Sequence, residues 1–151
     1  MGAEIEIRAI GVGDHDAWLP LWRGYQAFYE IEIPEAVSRR TWTRLCDPSE
    51  MVFGALAWSG GAAAGLVHFL AHRSTWTAGD VCYLQDLFVA PAGRGAGTGR
   101  ALIDHVYRAA DQNGWEEVYW LTHETNATAR ALYDRIAVRS GFLHYQRPVS
   151  G

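Results

Sequence analysis

One pattern between residues 81 and 103 restricts the fold more than any other: a strand that stops at a proline, a turn crowded with glycine and arginine, and a helix that starts at once. Tyr83-Leu-Gln-Asp-Leu-Phe-Val89 alternates in polarity and is rich in aromatic and β-branched side chains, which suits a half-buried strand. Pro91 ends it. Arg94-Gly-Ala-Gly-Thr-Gly-Arg100 then sets a glycine at every second position. Glycine takes positive φ without a Cβ clash and lets the backbone come close to a ligand, while the first amides of a helix have no partner of their own. The helix dipole favours a negative charge there by roughly 0.3–1 kcal/mol, and Arg94 and Arg100 add charge-assisted contacts. Such a turn is suited to an anion.

Spacing then separates the motifs that use this element. A phosphate-binding loop of the NTPase type ends in Gly-Lys-Ser/Thr, whereas this chain has Gly99-Arg100-Ala101, with no hydroxyl to hold magnesium. A dinucleotide fingerprint needs G-x-G-x-x-G. Here the third glycine falls one residue early, at Gly99, although Glu116 or Glu117 stands where the downstream acid of that motif would be. Arg94-Gly-x-Gly-x-Gly after a strand and a short proline-containing loop resembles the acetyl-CoA pyrophosphate loop of the GCN5-related N-acetyltransferases (GNAT). Tyr83-Leu-x-Asp86-x-Phe88-Val89 ahead of it looks especially like the branch of polyamine and small basic protein acetyltransferases. The resemblance continues through Trp120-Leu-Thr-His-Glu-Thr-Asn126-Ala-Thr-Ala-Arg130-Ala-Leu-Tyr133 and Ser140-Gly-Phe142. It is specific over roughly residues 81 to 145 and weak before them.

Taken in order, the residues read β-α-α-β-β-β-α-β-α-β, a mixed α/β sheet with helices on both faces. Ile5 and Ile7 alternate with Glu4, Glu6 and Arg8, giving a first strand. Asp14 or Asp16 caps the helix that follows, in which Trp18, Trp22, Tyr25 and Tyr29 recur on one face. Pro20 makes that helix begin close to it or bend at it. Trp22, Tyr25 and Tyr29 are core packing on one reading and the wall of an amine pocket on another, since aromatic faces attract cations. Pro34 suits the first turn of a second helix, ended by Asp47-Pro48. Residues 51–58 and 62–71 form a hairpin, and His68 and His72 are expected to be structural or exposed rather than catalytic. Leu102, Val106 and Ala109 face the core from the helix after the glycine turn, closed by Asn113-Gly114. Residues 118–121 make a short strand, Asn126 or Thr125 caps the last helix, and residues 142–146 make a terminal strand. The resemblance implies one domain over residues 1–151 with a mostly antiparallel sheet of six to seven strands.

Composition excludes more than it identifies. Among 151 residues, a formal net charge of -4 disfavours nucleic acid, which calls for clustered Lys and Arg. A cationic ligand suits it better. The amino terminus has acids where a signal peptide has bases. The apolar run from Gly54 to Ala71 is broken by Ser59-Gly60-Gly61, so no membrane span is expected. Cys46 and Cys82 are isolated and His123-Glu124 lacks a second ligand cluster, so a reduced cytoplasmic setting and no metal are the expectation.

What the resemblance implies for chemistry is acetyl transfer from acetyl-CoA, as cosubstrate, to a primary amine of a small molecule or basic protein, by direct attack in a ternary complex. Two neighbouring strands splay and the coenzyme arm lies between them. Leu87, Phe88 and Val89 are then main-chain contacts, with an amide near Phe88 polarising the thioester carbonyl. Arg94, Gly95, Ala96, Gly97, Thr98, Gly99 and Arg100 grip the pyrophosphate, Asn126 contacts the pantetheine, and Arg130 reaches the nucleotide end. Tyr133 matches the family's general acid. An amine with a pKa of about 10.4 is neutral in about one molecule in 2,500 at pH 7, a deficit of about 4.6 kcal/mol that a base must offset. The branch places glutamate before the aspartate on this strand, but here the pair is Gln85-Asp86. The base is therefore Asp86 acting through water, or a water held by Gln85 and a tyrosine, or none if the substrate arrives neutral. Adjacent strand residues point to opposite faces, so Asp86 serves only if a bulge re-aims it. A homodimer joined by terminal strands is expected on resemblance. The rival reading is a non-catalytic acyl-CoA-binding sensor or degenerate family member, favoured by Gln85.

Overall fold

Strand β1 (Ile5–Ala9) is the first element of the described residues, 4–149, of a computed structural model. By its contacts the chain divides into two units, Met1–Trp120 and Leu121–Gly151. In the first, helix α1 (His15–Phe28) and helix α2 (Glu35–Leu45) are followed by the hairpin β2 (Val52–Ser59) and β3 (Ala62–His72), then β4 (Val81–Val89), helix α3 (Thr98–Asn113) and the two-residue strand β5 (Val118–Tyr119). The sheet runs β1-β2-β3-β4-β5, antiparallel except for β4 with β5. Gly60 and Gly61 close the hairpin with φ of 59° and 81°, the two positive angles that a two-residue turn matched to strand twist requires. As the sequence predicted, Gly114 ends α3 in the left-handed region.

The sheet is covered on both faces. On one, Trp18, Leu21 and Trp22 of α1 pack with Leu45, Leu56, Leu66 and Phe88. On the other, Leu102, Ile103 and Val106 of α3 have no exposed surface. Burying each such side chain stabilises by about 1.5–3 kcal/mol. Ala109 is only half-buried, and Ala110 takes the inward position instead. Helix α1 starts five residues before Pro20 and runs through it. Asp14 does not cap that helix; its carboxylate accepts from the Gly11 amide at 2.8 Å and closes the preceding turn.

The second unit contains helix α4 (Ala127–Ile136), capped by Asn126, whose side chain accepts from the Ala129 amide at 3.3 Å. The sheet has five strands among the described residues, not six to seven. The strand expected over residues 118–121 stops at Tyr119, and that expected over 142–146 does not form. Among the described residues no strand pairs with this segment, and Phe142 and Tyr145, 79% and 87% exposed, lack the burial that offsets the entropy of ordering.

Close approach of α1 to β4 depends on Gly24, where a Cβ would sit 2.8 Å from the Phe88 ring. Gly24→Ala is expected to destabilise the protein by about 1–3 kcal/mol through overpacking, against the gain of about 1 kcal/mol that alanine brings to a helix interior. Urea unfolding checks this, and a stabilised variant would contradict the packing.

Candidate active site

Register makes the site. Leu66 pairs with Phe88 and His68 with Asp86, but Phe69 pairs with Leu84, so Gln85 is an extra residue in β4. This is the bulge that Asp86 needs. The Ala90 amide donates to the Ala64 carbonyl at 2.8 Å, and residues 88 and 86 lie two and four positions back on the same antiparallel pairing. Their main-chain groups turn toward β3, and those of Leu87 and Val89 turn away. Before the bulge the sense is reversed: the Cys82 amide donates outward to the Glu117 carbonyl at 2.8 Å. Strand β5 pairs only with Cys82 and Tyr83. Among the described residues, no strand covers the outer edge of residues 84–89. Past the bulge the amides that face this edge are those of Leu87 and Val89; the Phe88 amide faces β3.

The same bulge gathers side chains. Without it Tyr83 and Asp86, three residues apart, would lie on opposite faces. With it, Asp86 is close enough to raise the pKa of Tyr83, after burial as the larger cause. Asp86 is 8% exposed, and its Oδ2 lies 3.0 Å from His68 Nδ1. The Trp18 indole N–H donates to His68 Nε2 at 3.0 Å. Tyr25 is pushed well above the ordinary tyrosine range by burial first, then by the charge of Asp86 and by the carboxylate acting as hydrogen-bond acceptor. Tyr29 is raised by burial and then by Asp86. Three phenols held in the OH form thus surround one buried carboxylate. Trp22, expected in the same wall, is buried and donates to Ser38 Oγ at 2.9 Å; it stacks on Tyr25 at 5.2 Å and supports the wall from behind. Gln85 is exposed.

At the end of β4, Gly95 and Gly97 have φ of 81° and 79°, and a Cβ at either would meet nothing within 4 Å. The amides of residues 95 to 100 have no backbone acceptor among the described residues. This open set of donors fits a diphosphate. Gly99 belongs to the helix, and Thr98 is buried with its hydroxyl donating to the Gly93 carbonyl at 3.1 Å, so only its main chain faces outward. Ala96 is exposed. Arg94 Nε donates to the Val89 carbonyl at 3.1 Å, and its guanidinium lies 5.6 Å from the centre of the Phe28 ring. Arg100 pairs with Asp104 at 3.2 Å.

In the second unit, Asn126 caps α4, Arg130 Nη1 donates to the Glu124 carbonyl at 2.8 Å, and Tyr133 lies half-buried on α4. His68, expected to be structural or exposed, is buried between Trp18 and Asp86. Its one signal is a polar side chain inside the apolar run of residues 65–71. Burial pushes the Cys82 thiol up to about 12 and raises Cys46 as well, so neither is a ready nucleophile. No group of three or more possible metal ligands exists among the described residues, and none of their helices is long and apolar enough to cross a membrane.

The model of the acetyltransferase (GNAT) family matches residues 18–137. Over 145 residues the chain is 38% identical to a D-amino-acid N-acetyltransferase of Saccharomyces cerevisiae, covering 95% of this chain and 90% of the relative. It is 31% identical over 88 residues to a thialysine N-epsilon-acetyltransferase of Caenorhabditis elegans, covering 58% of this chain and 54% of that one. A ribosomal-protein-alanine N-acetyltransferase from Brucella melitensis has a similar fold, with a TM-score of 0.81 at 20% identity, covering 97% of this chain and all 100% of that one.

Spectrophotometric titration is expected to find Tyr25 un-ionised well beyond the ordinary range near pH 10, so that Tyr25→Phe removes no phenolate signal there. Because these phenols ionise more readily in the unfolded chain, unfolding free energy falls as pH rises above about 10. Asp86→Asn lowers the pH at which Tyr25 ionises. Unchanged titration of Tyr25 in that variant would break the link between the two.

Proposed function

The chain belongs to the GNAT acetyltransferase family, and on that premise we propose that it moves an acetyl group from acetyl-CoA to a primary amine of a small basic molecule or basic side chain, in one ternary complex. The observation that carries this reading is the buried, tyrosine-lined carboxylate of Asp86, on a strand whose outer edge beyond Tyr83 has no strand partner among the described residues. The relatives named for D-amino acids and thialysine support a small amine acceptor.

Bound acetyl-CoA supplies the acetyl group as a thioester. The Leu87 or Val89 amide donates to the oxygen that gains charge on attack. Residues 94 to 100 hold the diphosphate through main-chain amides and two arginines, and Asn126 and Arg130 bind farther along the coenzyme. Tyr25 and Tyr29 offer aromatic faces to the ammonium. Asp86, directly or through a water, takes the proton that the amine must lose, offsetting the deficit of about 4.6 kcal/mol at pH 7. Gln85 can hold such a water. Tyr133 gives a proton to the departing sulfur. With both thiols held protonated, direct attack needs no acyl-enzyme.

Release of free CoA across a panel of amines, beside calorimetry with acetyl-CoA, tests the proposal: amine-dependent release is expected, and binding without release to any amine would favour a sensor. Tyr133→Phe is expected to lower turnover by about ten- to a thousandfold with little change in acetyl-CoA affinity, as loss of a general acid does. Unchanged turnover would remove Tyr133 from the mechanism. The proposal includes a homodimer, supported by the exposed apolar side chains of Phe142, Leu143 and Tyr145. Light scattering at twice the chain mass is the expected result, and a monomer at working concentration would refute it.

A further inference from the structure

Between Trp18 and Asp86, the neutral His68 ring has one tautomer open to it. An indole N–H can only donate, so the 3.0 Å contact with Trp18 makes Nε2 the acceptor. The ring proton is left on Nδ1, which donates to Asp86 Oδ2 at 3.0 Å. The ring is also held in place. A Cβ on Gly54 would come within 3.3 Å of His68 Cδ2, and Trp22 lies against the ring at 5.1 Å between centroids. Both histidine and aspartate are buried, at 4% and 8% exposure.

We propose that His68 is a positioning residue for acetyl transfer: a neutral Nδ1–H donor, fixed in that tautomer by Trp18, that orients Asp86 and favours its ionised form so that it can receive the proton of the amine. This rests on the reading of Asp86 as that proton's acceptor. A hydrogen bond to the charged form of a carboxylate favours that form, and a ring whose tautomer is set by its other nitrogen holds its partner in one orientation. The same geometry excludes His68 itself as the base. Protonation at Nε2 would set an N–H against the Trp18 N–H, so the proton leaves the amine nitrogen for Asp86 and none passes through the imidazole. The groups that face Asp86 are His68 from β3, Tyr25 and Tyr29 from α1, and Tyr83 from β4. The phenols donate or stay neutral, which leaves His68 as the fixed donor on the strand side.

Two substitutions separate positioning from packing. Glutamine at this position retains an acceptor near the place of Nε2 and loses the donor near Nδ1; asparagine does the reverse. His68→Gln is expected to lower kcat about tenfold and to move the acid limb of the kcat/KM profile to higher pH, with acetyl-CoA affinity unchanged. His68→Asn should stay within about threefold of the parent and keep its acid limb. Equal losses in both variants, with the limb unmoved, would reduce His68 to a packing residue and overturn the proposal. A second readout needs neither a variant nor turnover: nitrogen-15 NMR of histidine-labelled protein at pH 7 should give His68 the signature of a neutral ring protonated at Nδ1. A proton on Nε2, or an imidazolium, overturns the arrangement whatever the kinetics. Full activity in Asp86→Asn would instead remove the base reading and the role of His68 with it, while leaving the NMR result as a fact about the fold.

Discussion

With Gln85 unpaired, β4 changes the sense of its alternation halfway along its length. Two consequences come from that one extra residue. Side chains that a regular strand would set on opposite faces, Tyr83 and Asp86, are brought together under α1. Main-chain groups that would face β3 are turned outward at Leu87 and Val89, where β5 no longer pairs. A bulge disrupts local pairing, and here the surrounding strand pairs and the α1 core hold it. The acid and the free backbone edge come from neighbouring residues of one strand, so their separation is set by covalent geometry more than by side-chain flexibility.

Electrostatics around Asp86 follow from what is packed beside it. The tyrosines are raised in pKa and keep their protons, and His68 Nδ1 lies 3.0 Å from the carboxylate on the strand side. The aromatic column from Trp18 through Trp22 to Tyr25 and Tyr29 grades from 1% to 41% exposure along α1. One face of one helix therefore supplies core at its start and the phenols beside Asp86 at its end. Packing accounts for Trp18 and Trp22, which are buried, and the pocket reading of Tyr25 and Tyr29 belongs to the proposed function.

The strand, glycine turn and helix of residues 81–113 were legible in the sequence because each signal is local: alternation, positive φ at Gly95 and Gly97, and a closing Gly114. The family resemblance drew on the same residues. What was not legible depends on pairing between distant segments. Gln85 and Asp86 are adjacent in sequence, and only their register against β3 decides which is buried; His68 gains its significance from the same register and from Trp18, fifty residues away. The terminal strand was misread for a related reason. Phe142 to Gln146 has strand-like composition, but a strand requires a neighbour, and none is paired with it among the described residues.

Central to the proposed coenzyme site is the bulge, which turns the Leu87 and Val89 amides outward while those of Asp86 and Phe88 stay with β3. Residue-resolved amide hydrogen exchange, with and without acetyl-CoA, measures this directly. Added acetyl-CoA should slow exchange at Leu87 or Val89 and in the Gly95–Arg100 turn, and leave Phe88 as protected as before. Protection gained at Phe88 with Leu87 and Val89 unaffected would contradict it.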